Sequence, residues 1–141
     1  MPSGARTRET TGTPASVGRR VILVLAGVAA LLLKPAWHGP GSVLVHSYGG
    51  NVAASFAVTF LAAIEAARWR LGRAAAAAAA LLIVEAFELT DGFGVMSNVF
   101  DPLDLVANVV GVGLAVAVDA FVARVWPVRP AGTDSPAVHQ G

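Results

Sequence analysis

Four apolar runs, separated by short polar punctuation, set the pattern of the chain. They cover residues 21–37, 43–67, 74–89 and 103–125. Within them, apolar and small residues fill nearly every position, which suits helices surrounded by other apolar material rather than half-buried strands. A helix that crosses a bilayer needs roughly 20 such residues, with a lower limit near 17. The second and fourth runs meet this length; the first and third are short. The expected fold is all-α: a polytopic membrane protein built as a bundle of four transmembrane helices over residues 19–126. The flanking stretches, 1–18 and 127–141, are rich in Ser, Thr, Gly and Pro without apolar periodicity and are expected to be disordered tails. The first run has the length of a signal-peptide core, but KPAWHGPG follows it with no small-residue cleavage site, so a retained helix is expected.

Charge then orients the bundle. Arg6, Arg8, Arg19 and Arg20 precede the first run, Arg68, Arg70 and Arg73 separate the second from the third, and Arg124 and Arg129 follow the fourth. The other two connections contain Lys34 as their one cation. With four spans, nine of the ten cations fall on one side, which the positive-inside rule assigns to the cytoplasm. Both termini are therefore expected on the cytoplasmic side of the membrane. Composition agrees: 55 % of residues are hydrophobic and 13 % charged, where soluble domains carry about a quarter charged. A net charge of +1 without a basic, aromatic-interleaved stripe gives no sign of nucleic-acid binding. The absence of cysteine excludes disulfides, thiolate metal sites and a Cys nucleophile.

The polar residues inside the runs then become the informative ones, because ionisable groups at membrane depth are costly and pair, face inward or serve a function. Glu85 and Glu88, three residues apart and thus on one face, belong to the outer half of the third helix. Asp104 and Asn108 open the fourth helix from the same side, and His46, Tyr48 and Asn51 open the second. Together they predict an acidic polar site towards the outside. On the fourth helix Asp104, Asn108, Gly111, Ala115 and Asp119 share a stripe about 80° wide. Gly111 and Ala115, like the alanines at 74–80, permit close helix contact. On the second helix the expected seam is Asn51, Ser55, Ala62 and Glu65. Asp101 and Pro102 form a helix entry, with Asp as cap and Pro in the first turn. Asp119 is expected to pair with a cytoplasmic arginine, and Glu65 with Arg68. A cation site of His46, Glu85, Glu88 and Asp104 lacks any fixed ligand spacing, so no metal is expected, and no cofactor is implied. The loop GFGVMSN has neither the setting nor the glycine spacing of a phosphate loop, and no nucleophile elbow is present.

The stretch VEAFELTDGFGVMSNVFDPLDLVANVVGVGLAVAVD resembles the C-terminal half of VanZ-like bacterial membrane proteins. Their pattern of a Glu-bearing helix, a loop and an F-D-x-x-D-x-x-x-N-x-x-G segment corresponds here to Glu85, Phe100, Asp101, Asp104, Asn108 and Gly111. The match covers about a quarter of the chain. Two positions depart from the family: Glu88 stands where Gln is common, and no Arg precedes Phe100-Asp101. The resemblance implies a multi-pass inner-membrane protein, with some members linked to resistance to glycopeptides such as teicoplanin. It leaves the molecular activity open; the first hypothesis is a non-enzymatic protein in the bilayer that influences the cell envelope, its acidic site binding a ligand or partner such as a cell-wall precursor or another membrane protein. The alternatives are a small proton- or cation-coupled transporter, a structural membrane subunit and, least supported by the residues, an intramembrane enzyme using a carboxylate base.

Overall fold

The structure, a computed structural model, describes residues 14–90 and 101–127. Within them the protein consists of four α-helices: α1 (Pro14–Leu33), α2 (Ser42–Arg68), α3 (Arg73–Leu89) and α4 (Pro102–Val125). A 3₁₀ turn, Lys34–Ala36, extends α1. Three of these are long and apolar enough to cross a membrane: 22 residues over Ala15–Ala36, 27 in α2 and 24 in α4. The 17 residues of α3 span about 25 Å at 1.5 Å per residue, just under a hydrocarbon core of about 30 Å.

α1 begins earlier than expected. Residues 14–18, assigned from the sequence to a disordered tail, are helical, and Arg19 and Arg20 lie inside the helix. Pro14 suits a first helical position, where its missing N–H is no loss. The remainder of that tail, the tail from residue 128, and the loop holding Asp91, GFGVMSN and Phe100 lie outside the described residues.

The connections follow local chemistry. Gly41, with φ 72°, enters α2 in the left-handed region that glycine adopts without penalty. α2 ends in a Schellman arrangement, with Leu71 N–H donating to the Ala66 carbonyl at 2.8 Å and Arg70 N–H to Ala67 at 3.2 Å. The left-handed position there is Arg70, at φ 56°, rather than the usual glycine. At α4 the expected entry is present: Asp101 is the N-cap, its carboxylate accepts from Leu103 N–H at 2.9 Å, and Pro102 follows it.

α2 is the central element. It packs against α1, α3 and α4; α4 also packs against α3, whereas among the described helices α1 packs only against α2. Small residues make these approaches close. A Cβ on Gly27 would lie 3.0 Å from the Ala57 Cβ, and one on Gly111 only 2.5 Å from the Val52 carbonyl oxygen. Of the alanine run, Ala76 and Ala80, one turn apart, are buried against the neighbouring helices. Bulky residues such as Ile22, Leu32, Leu82, Val106 and Phe121 point outward instead. That inversion, small inside and large outside, suits helices packed in lipid, where close backbone approach rather than water exclusion drives association.

Candidate functional site

The site grows from the α2–α4 contact. Asn108 is 2 % exposed and Ser55 fully buried, and Ser55 Oγ donates to Asn108 Oδ1 at 2.6 Å. The same hydroxyl lies 2.6 Å from the Asn51 carbonyl, so its one proton has two acceptors within reach. An interhelical hydrogen bond of this kind is worth about 1 kcal/mol in a membrane. One turn deeper, the buried Thr59 hydroxyl returns to the Ser55 carbonyl at 2.7 Å, a local bond that satisfies the hydroxyl without a partner helix.

On the other side of Asn108 is α3. The half-buried Glu85 carboxylate faces the Asn108 amide closely enough to interact with it. Neither Asn108 Nδ2 nor Glu85 Oε2, both buried atoms, completes a hydrogen bond among the described residues. A buried polar atom without a partner costs about 1–3 kcal/mol, so this junction holds unused hydrogen-bonding capacity. Glu88 lies within electrostatic reach of both Asp104 and Glu85, and Asp104 within reach of Asp101. Tyr48 of α2 closes the edge, its hydroxyl donating to Asp101 Oδ2 at 3.2 Å. Carboxylates from α3 and α4 therefore gather at this end of the bundle, with Glu85 the one beside the buried amide.

The structure thus brings together Glu85, Glu88, Asp104 and Asn108, with Asn51 half-buried beside Ser55. It does not bring His46. That side chain is exposed, and its Nδ1 lies 2.7 Å from the Ser42 carbonyl of its own helix. Among the described residues no three His, Asp or Glu side chains form a set able to hold a metal ion. Glu65 also leaves the expected seam: it is exposed and bonds Arg68 at 3.2 Å and Trp69 Nε1 at 3.1 Å. The buried polar line of α2 runs through Ser55 and Thr59 instead. Gly111 and Ala115 occupy the α4 seam as expected, the latter fully buried.

A second polar centre lies at the other end. Asp119 of α4 is 5 % exposed. Its Oδ2 pairs with Arg73 Nε of α3 at 2.8 Å, and its Oδ1 lies 3.5 Å from Arg19 Nη2 of α1. Arg20, also buried, donates from Nη1 to the Ala63 carbonyl of α2 at 2.7 Å. Asp119 pairing with arginine is thus present, and it joins three helices. In the sequence Arg19, Arg20 and Arg73 mark only topology; no spacing rule tells that Arg19 and Arg73, 100 and 46 residues away, meet Asp119.

Comparison with known proteins adds no relative: no family model, curated protein or solved structure matches the chain.

Proposed function

We propose that the chain is a VanZ-like protein of the bacterial cytoplasmic membrane, non-enzymatic, which binds a cell-envelope ligand through the acidic site and lowers susceptibility to glycopeptides of the teicoplanin type. In this reading all four helices cross the bilayer, both termini are cytoplasmic, and the carboxylate end of the bundle faces outward. The observation that carries it is the junction of Asn108 Nδ2 and Glu85 Oε2, a buried donor and a buried acceptor close enough to interact, neither of which completes a hydrogen bond among the described residues. A ligand group presenting an acceptor next to a donor, as an amide of a cell-wall precursor does, satisfies both. Glu88 and Asp104 at the rim favour donors and cationic groups.

The test compares teicoplanin susceptibility of cells carrying the wild type, Glu85→Gln, Asp104→Asn or no protein, with membrane abundance and thermal stability measured alongside. The expected result is protection by the wild type that is lost in Glu85→Gln at unchanged abundance. Protection that tracks only the amount of folded protein makes the carboxylates scaffold, and no protection by the wild type removes the envelope reading.

A further inference from the structure

α1 and α4 both pack on α2 but not on each other. Arg19 bridges them at one end, through Asp119 and a 3.4 Å bond to the Trp126 carbonyl. Beyond that bridge the gap is an open, almost wholly apolar cleft of about 800 Å³, with α2 as its floor. Its walls include Ala30 of α1, Val52 and Phe56 of α2, and Val106, Val110 and Leu114 of α4. Along α4 the lining runs from Leu103 to Leu114, about 16 Å of helix. That is close to one leaflet of a hydrocarbon core about 30 Å thick.

Lys34 stands at the mouth, at the end of α1 opposite Arg19, and lines the cleft. Its Nζ donates to the His46 carbonyl at 3.0 Å, and among the described residues it pairs with no carboxylate. The glycine pair of α2 makes room for it. A Cβ on Gly50 would lie 3.2 Å from Lys34 Nζ, and one on Gly49 3.8 Å from Lys34 Cδ. The ammonium is therefore seated, with two of its three protons still to donate, directly above an apolar trough.

We propose that this cleft holds an acyl chain of an anionic phospholipid whose phosphate is bound by Lys34. The apolar walls match the chain, the depth matches one leaflet, and the ammonium supplies the complementary charge at headgroup level. The inference requires α1, α2 and α4 to lie in a bilayer and is independent of what the acidic site binds.

Delipidated protein titrated with phosphatidylglycerol or phosphatidylcholine of matched chains, read by native mass spectrometry, tests it. One phosphatidylglycerol is expected to bind in preference to phosphatidylcholine. Lys34→Gln is expected to weaken phosphatidylglycerol about five-fold and phosphatidylcholine, whose phosphate is already offset by its choline cation, by less. Ala30→Phe, a substitution at an exposed helix position that fills the cleft, is expected to weaken both. Arg124→Gln, which removes an exposed cation outside the cleft, is expected to change neither. Equal binding of the two lipids, an unchanged Lys34→Gln, an equal loss in Arg124→Gln, or a lipid-independent dimer abolished by Ala30→Phe would overturn the proposal.

Discussion

Gly111 decides how closely α2 and α4 approach. A Cβ there would stand 2.5 Å from the Val52 carbonyl oxygen and 2.8 Å from the Ser55 Cβ. Backbone cannot swing aside as a flexible side chain can, so the helices must separate. Gly111→Ala is therefore expected to destabilise the protein by about 1–3 kcal/mol and to loosen the Ser55–Asn108 bond beside it. Two residues on, a Cβ on Gly113 would meet nothing within 4 Å. Gly113→Ala is expected to be stabilising by about 0.5–1 kcal/mol, through helix propensity alone. Thermal unfolding in one detergent checks the pair; equal effects would mean that Gly111 is not a contact point. The sequence already marks Gly111, Asn108 and Asp101, because small and polar residues in an apolar helix have few alternatives to contact or capping. It misplaces His46, because phase along α2 gives the end of the helix but not the rotamer, and this imidazole bonds back to its own backbone.

At the scale of elements, the arginine-bearing end of the bundle is held by side chains where helices do not touch. α1 meets α4 through Arg19 rather than through a packed seam, and Asp119 gathers Arg19 and Arg73. Removing the carboxylate takes away the charge that Arg19 and Arg73 share. Asp119→Asn is expected to cost about 3 kcal/mol, the lower end for a broken buried pair, since the Arg73 side chain is 34 % exposed. Arg68→Gln, which breaks the exposed pair with Glu65, is expected to cost well under 1 kcal/mol. The unfolding assay compares them, and similar costs would contradict the clasp. Element type and order were legible from hydropathy alone, and α4 starts where Asp101-Pro102 says it should. The start of α1 was not legible: residues 14–18 carry no apolar periodicity, and the clasp that rewards extending the helix through Arg19 and Arg20 is tertiary.

For the whole molecule, polarity is arranged in two layers with apolar surface between them. The carboxylates, Asn108 and Tyr48 occupy one end, and the arginine–Asp119 clasp the other. Trp37 lies exposed at the first end, Trp69 and Trp126 at the second, as interfacial anchors do. The central claim is that the carboxylate end faces the outside, with α3 crossing despite its 17 residues. The chain has no cysteine, so single-cysteine variants report cleanly. His38→Cys, Leu71→Cys, Thr90→Cys and Pro127→Cys, treated in intact cells with a membrane-impermeant maleimide, test the claim most directly. The expected result is labelling at positions 38 and 90, with 71 and 127 reacting only after permeabilisation. Positions 71 and 90 reacting from the same side, or 71 and 127 labelling while 38 and 90 stay protected, would contradict it.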